Sequence, residues 1–352
     1  MSGPVVIAAG GTGGHMVPAH VFAGELIRRG RAVALFSDVR GLRLPGLFEG
    51  VERYELASGS PARGGAAAMA FAVGRGALKA RSLLRRLKAG AVVGFGGYPS
   101  LPGLIAGVWA GLPTLIHEQN AVLGRVNRLL AGRVDRVATA YSRVDRLDVD
   151  AAKVRMVGNP VRPEIAAVPP PNPHAERNIL VLGGSQGAAI FATVVPRALA
   201  RLAGDGRPLQ VTQQARPDDI PAVREIYAKA GIPADIAPYF TDVPALLARA
   251  ELVIARAGAS TIAELAASGR PAILVPLPTA MDDHQSANAR ALAEAGGAVL
   301  VPQPQFTPER LAEELARLTP ERLAEMAVAA RAQGRPNAAA DLADLLEEIA
   351  PR

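Results

Sequence analysis

Short apolar, β-branched runs alternate with helical stretches of about 10 to 15 residues along the whole chain, the periodicity of βαβ units and parallel sheets. In the first half the runs are Pro4–Ala9, Ala32–Phe36, Ala91–Phe95, Thr114–His117, Arg136–Ala138 and Val154–Val157. A proline-rich break, Val168–Pro173, follows, and the pattern then restarts at Asn178–Leu182. Further runs are Leu209–Thr212, Asp235–Tyr239, Leu252–Ala255, Ala272–Val275 and Ala298–Val301. Each half opens with a strand, a glycine-rich turn and a helix, and the first of these helices is predicted to start near Pro18. The fold class expected is α/β, with two Rossmann-like, doubly wound parallel-sheet domains facing a cleft. The domains expected are residues 1–162 and 163–352, with the last helix a candidate to return to the first domain. In such sheets ligands sit beyond the carboxyl ends of the strands, so chemistry is expected at that edge.

The glycine turns suggest what kind of ligand. A strand–turn–helix unit presents backbone N–H groups at a helix N-terminus, and glycine lets a phosphate approach without a Cβ clash. Gly10–Gly14 is one such turn, Gly94–Gly97 a second and Gly183–Gly187 a third. Asp38, at the end of the second strand, stands where a dehydrogenase would hold ribose, but three turns over two domains exceed the needs of one dinucleotide. Gly258–Glu264 reads either as a fourth ligand-facing helix start or as a Thr261/Glu264 capping box. In Asp282–Asn288, Asp282 is a candidate cap, and His284 and Asn288 share one helix face. The polar run His117–Asn120 directly follows a strand, at the ligand edge of the sheet.

Composition narrows the classes. With 352 residues and 49% hydrophobic content the chain can build two cores. It has no cysteine, which excludes disulfides, thiolate metal sites and a cysteine nucleophile. The net charge of +7 calls for an acidic partner such as a nucleotide or anionic lipid. MSGPVVIAAGG lacks the basic start of an export signal, and no run is long and apolar enough to span a bilayer, so a cytoplasmic location is expected. From Met69 to Lys88, apolar residues (Phe71, Val73, Leu78, Leu83, Leu84) are interleaved with six basic ones and no acid. That segment reads either as an interfacial amphipathic helix or as an ordinary helix on the core. Trp109, the single tryptophan, joins the same surface or fills the core.

The ordered set GGTGGH, GFGGYPSLPG, HEQN, GNPVR, GGSQGA and ARAGASTIAEL…DDHQSANA resembles the MurG family of peptidoglycan N-acetylglucosaminyltransferases, and the resemblance covers nearly the whole chain. It implies the GT-B fold, with UDP-N-acetylglucosamine held mainly by the C-terminal domain. The acceptor, a lipid-linked muramyl pentapeptide (lipid I), would sit on the N-terminal one. It also implies that Ser185, Gln186, Ser260 and Thr261 meet the diphosphate, that Glu264 binds ribose, and that Arg162 lies near the nucleotide. Phe240 and Thr241 would read uracil, and Asn120, Ala259, His284 and Gln285 the sugar. Thr12, Gly13 and Gly14 would join the substrate-binding set, with Thr12, His15 and Tyr98 lining the acceptor side. The chain departs from the family pattern at Ala189, Ala192 and Thr212–Ala215, and Ser58–Gly65 matches it poorly.

The implied reaction is an inverting displacement in which the muramyl 4-hydroxyl attacks the anomeric carbon and UDP leaves. His15 is the candidate general base, since an imidazole with a pKa of about 6.5 suits the task. Helix N-termini would receive the charge on UDP, so neither metal nor cofactor is expected, and no nucleic acid. Asp148-Val149-Asp150 matches a metal-binding D-x-D but lies away from the glycine turns. The expected location is peripheral, at an anionic membrane surface on the cytoplasmic face. An epimerase of similar fold and a non-enzymatic nucleotide-sugar sensor are the alternatives.

Overall fold

The structure, a computed structural model, describes residues 3–11, 13–59, 65–171, 177–184, 187–202 and 208–350. The chain forms two compact units: Met1–Arg162 together with Arg335–Arg352, and Pro163–Gly334.

The first unit holds seven parallel strands: β1 (Val5–Ala8), β2 (Val33–Ser37), β3 (Glu52–Glu55), β4 (Ala91–Gly94), β5 (Thr114–Glu118), β6 (Arg136–Thr139) and β7 (Val154–Met156). Their order is β3-β2-β1-β4-β5-β6-β7, so the winding reverses between β1 and β4. Alternation along β1 separates two cores. Val5 and Ile7 pack with Met16, Phe22, Leu342 and Leu346, whereas Val6 and Ala8 pack with Val73, Leu84 and Leu104. The first core lies under the Gly13–Arg28 and Ala338–Ile349 helices, the second under Gly65–Leu87 and Leu101–Trp109.

Two sequence expectations need correction here. The first helix begins at Gly13, not near Pro18, and Pro18 sits inside it with its ring buried. Strand β3 (ERYE) was not expected, because three of its four residues are charged. As an edge strand it needs only one apolar anchor. Tyr54 supplies it, meeting Phe36 edge-on at 5.8 Å and lying 5.6 Å from the Arg86 guanidinium.

The second unit repeats the plan with β8 (Arg177–Leu182), β9 (Leu209–Gln214), β10 (Ala234–Ala237), β11 (Leu252–Ala255), β12 (Ala272–Leu274) and β13 (Ala298–Leu300). The order β10-β9-β8-β11-β12-β13 puts its reversal between β8 and β11. The start of the proline-rich break is tied into this unit. Buried Arg270 donates from Nε to the Leu247 carbonyl (2.6 Å) and from Nη2 to Pro169 (2.5 Å). Burial, helped by nearby Arg331, lowers its pKa to about 10.

Candidate active site

In the first unit two glycine turns meet where the winding reverses. Gly10–Gly11 leaves β1 and Gly96–Gly97 leaves β4. Gly10 has no room for a side chain, since a Cβ there would come within 2.6 Å of Pro99 and 2.8 Å of the Asp38 carboxylate. Gly97 has φ 72° and ψ 156°, a conformation open essentially to glycine alone. His15, in the first turn of the Gly13–Arg28 helix and half-buried, lies against the second turn. Cβ atoms built on Gly96 and Gly97 would each stand 3.5 Å from its ring. Asp38 accepts from the Gly11 and Gly41 amides (3.1 and 3.0 Å) and pairs with Arg40, so it braces the first turn instead of holding ribose.

Beneath these turns, His117, Glu118 and Gln119 are each at most 2% exposed. His117 donates from Nε2 to the Gly158 carbonyl (2.8 Å), which leaves Nδ1 to accept from Gln119 Nε2 (3.1 Å). Burial drives its pKa down to about 4, the hydrogen bond to Gly158 opposing only in part. Glu118 accepts four hydrogen bonds: from Asn120 N and Nδ2 (3.0 and 3.1 Å), Gly124 N (2.8 Å) and Asn127 Nδ2 (2.8 Å). Three of the four HEQN side chains are therefore internal scaffolding, and Asn120, half-buried, is the one of them that reaches the surface.

In the second unit the Ala259–Ser268 helix starts directly beyond β11. Its N-cap is Gly258, with no side-chain cap. Thr261 is thus the third helical residue, and the capping-box reading of Thr261 and Glu264 fails. The first-turn N–H groups have no intrahelical acceptor, and Ser260 Oγ is buried with no partner among the described residues. Gln285 braces this region, its Oε1 accepting from Ala257 N (3.2 Å) and Leu277 N (3.0 Å). Asn288 donates to the Ala257 carbonyl (3.2 Å) and is fully buried, so it does not share an exposed polar face with His284. His284 Nδ1 lies 2.7 Å from the Met281 carbonyl and donates to it. Asp282 is not the cap either. Asp282 and Asp283 both adopt positive φ (55° and 54°), and Asp283 accepts from Ser286 Oγ (2.6 Å).

Of the residues expected in the site, Thr12, Ser185 and Gln186 lie outside the described residues. Gly13, Gly14, His15, Tyr98 and Asn120 gather at the carboxyl edge of the first sheet. Arg162 ends the first unit. Ala259, Ser260, Thr261, Glu264, His284 and Gln285 share the edge beyond β11 and β12, while Phe240 and Thr241 lie in the loop between β10 and the Val243–Arg249 helix. Sequence reasoning missed Gln214. Its Oε1 accepts from Gly183 N (3.1 Å) and its Nε2 donates to Gly184 O (3.2 Å) and Pro238 O (3.1 Å), joining the third glycine turn to the β10 loop. The signal was a glutamine at the end of a strand. The D-x-D triplet has a local role, Asp150 accepting from Ala152 N at 2.9 Å, and no cluster of three potential metal ligands occurs among the described residues.

Two doubly wound parallel sheets, each with a glycine turn at its point of reversal, place the protein in the GT-B class. Comparison with known proteins sharpens this. The N-terminal domain of glycosyltransferase family 28 matches residues 5–139 and its C-terminal domain residues 178–346. A Zymomonas mobilis relative named UDP-N-acetylglucosamine--N-acetylmuramyl-(pentapeptide) pyrophosphoryl-undecaprenol N-acetylglucosamine transferase is 51% identical, covering 98% of this chain and 92% of its own. A Rhodopseudomonas palustris protein of the same name is 48% identical over 98% of both. The crystal structure of Acinetobacter baumannii MurG superposes with a TM-score of 0.80 at 33% identity, covering 98% of this chain and 99% of that one. The chain belongs to glycosyltransferase family 28, within its N-acetylmuramyl-(pentapeptide) pyrophosphoryl-undecaprenol N-acetylglucosamine transferases. A UDP-N-acetylglucosamine 2-epimerase, 14% identical with a TM-score of 0.71, shares the fold alone.

Proposed function

We propose that the chain transfers N-acetylglucosamine from UDP-N-acetylglucosamine to the 4-hydroxyl of the muramyl sugar of lipid I, giving lipid II with inversion. The observation that carries this is identity of about half over essentially the full length to relatives named for that transfer. The first unit supplies the acceptor side through His15, Tyr98 and Thr12. His15 takes the proton of the attacking hydroxyl as its oxygen bonds to the anomeric carbon. The bond from that carbon to the β-phosphate oxygen breaks, and its electron pair leaves with UDP. The second unit binds the donor. The uncapped start of the Ala259–Ser268 helix, with Ser260 and Thr261, meets the developing phosphate charge. Glu264 takes the ribose, Phe240 and Thr241 the uracil, and Asn120, Ala259, His284 and Gln285 the sugar, with Ser185, Gln186, Gly13, Gly14 and Arg162 completing the set.

The acceptor's polyprenyl tail requires access to a membrane, and no helix among the described residues is long and apolar enough to cross one. Phe71, Leu78 and Trp109 are 69%, 65% and 56% exposed, beside exposed Arg75, Lys79, Arg85 and Arg86. Val73, Leu83 and Leu84 of the same segment are buried in the core. The core-packing reading therefore holds for one face of that helix, and its other face leaves apolar and basic side chains exposed. The exposed face supports peripheral docking on anionic lipid at the cytoplasmic side.

The test is incubation with radiolabelled UDP-N-acetylglucosamine and a lipid-linked muramyl pentapeptide. Label should enter the lipid with one UDP released per transfer. Epimerised nucleotide sugar without transfer, or binding without UDP release, would overturn the reading.

A further inference from the structure

One of the side chains that hold the seat of His15 is not itself at the surface. Gln119 is 2% exposed and has two N–H bonds to give. Its Nε2 lies 3.0 Å from the Phe95 carbonyl, 3.1 Å from His117 Nδ1 and 3.2 Å from the His117 carbonyl. Phe95 is the residue from which the Gly96–Gly97 turn departs. The two glycines, with φ of 78° and 72°, are the surface on which the His15 ring rests. On its other side His117 is tied through Nε2 to Gly158, just before the chain leaves the first unit. The turn is also held by Ser100, whose Oγ donates to the Gly97 carbonyl at 2.9 Å, while Asn127 Nδ2, which donates to Glu118 at 2.8 Å, lies 3.4 Å from the position of a Cβ on Gly96. The turn carries no side chain of its own with which to resist displacement, so its position depends on what holds its backbone.

We propose that Gln119 is a positioning residue for the transfer reaction: by fixing the Phe95 carbonyl it sets the height of the Gly96–Gly97 turn, and it acts on the reaction only through His15. The inference rests on the proposed role of His15 as base. Gln119→Met keeps the volume and the path of the side chain but removes both donors. It should lower kcat about ten- to hundredfold, the cost of a small misplacement of a reacting group, while the KM for the nucleotide sugar stays within about twofold. The deciding measurement is a double-mutant cycle. In a His15→Ala background the same Gln119→Met change should cost less than about threefold, because the imidazole it positions is gone. If Gln119→Met does not fold, Gln119→Glu, which keeps the shape but turns a carboxyl oxygen toward Phe95, enters the same cycle. Full multiplicative losses in the double variant, or a Gln119 variant as fast as the parent, would overturn the positioning role. Should His15→Ala itself be fully active, the base assignment fails, and the proposal with it, in a way the single Gln119 variant does not produce.

Discussion

Replacing Glu118 by glutamine tests the buried scaffold at its most loaded point. The carboxylate accepts from Asn120 N and Nδ2 on one oxygen and from Gly124 N and Asn127 Nδ2 on the other. A carboxamide keeps only one of these oxygens and sets an NH₂ against two donors. On the side facing Asn127, partial relief is available, because Asn127 Oδ1 is buried with no partner among the described residues and an amide flip would bring it to the new N–H groups. That flip restores one contact, but Gly124 N–H remains without an acceptor. A hydrogen bond to a charged group contributes about 1.5–3 kcal/mol, and stranding a buried donor costs about 1–3 kcal/mol. The expected loss is therefore about 2–4 kcal/mol, or about 4–16 °C in melting temperature for a unit of this size. Denaturant unfolding followed by fluorescence and calorimetry reads it, and Glu118→Ala should lose more. A Glu118→Gln change under about 1 kcal/mol would mean that the four bonds are replaced by solvent at little cost, and the view of HEQN as internal scaffold would be wrong.

Three further outcomes follow from the same geometry. His117 has a folded pKa of about 4 against about 6.5 unfolded, so the unfolded chain binds the extra proton between these values. Its contribution should be complete above pH 6.5 and fall by up to about 3 kcal/mol as pH drops toward 4, and His117→Gln should flatten the stability–pH curve in that window; an unchanged slope refutes it. Gly97→Ala should cost about 1–3 kcal/mol from its disallowed backbone and also lower kcat, measured by melting and by turnover, with donor KM preserved. Gln285→Ala strands two amides and should destabilise by about 2 kcal/mol while raising donor KM, whereas Gln285→Glu, which keeps the acceptor, should melt near the parent temperature.

The βαβ alternation and the glycine turns were legible because each is a local pattern with a single physical cause. The β3 strand was not, because an edge strand can be built from ERYE when one tyrosine anchors it. The polar residues of the site divided differently. His117 and Gln119 looked like ligand-edge side chains, and Asn288 like half of an exposed face, yet all three turn inward. Position at a strand end predicts proximity to a site. The direction of the side chain depends on partners such as Gly158 and Ala257, which are distant in sequence. Thr261 misled for a related reason, since a glycine N-cap three residues earlier carries no side-chain signal.

The Ala338–Ile349 helix closes a core begun more than 300 residues earlier, with Leu342 and Leu346 fully buried against the first helix and Arg29 paired to Asp344. On a ribosome adding about 5–20 residues per second, the first unit waits through the synthesis of the whole second one before its last helix arrives. Until then the apolar stripe of Met16, Phe22 and Leu26 lacks its cover, so the nascent chain carries a sticky N-terminal half while the inserted half can already fold. Order of completion thus runs opposite to order of synthesis: the unit made second is the one able to finish first.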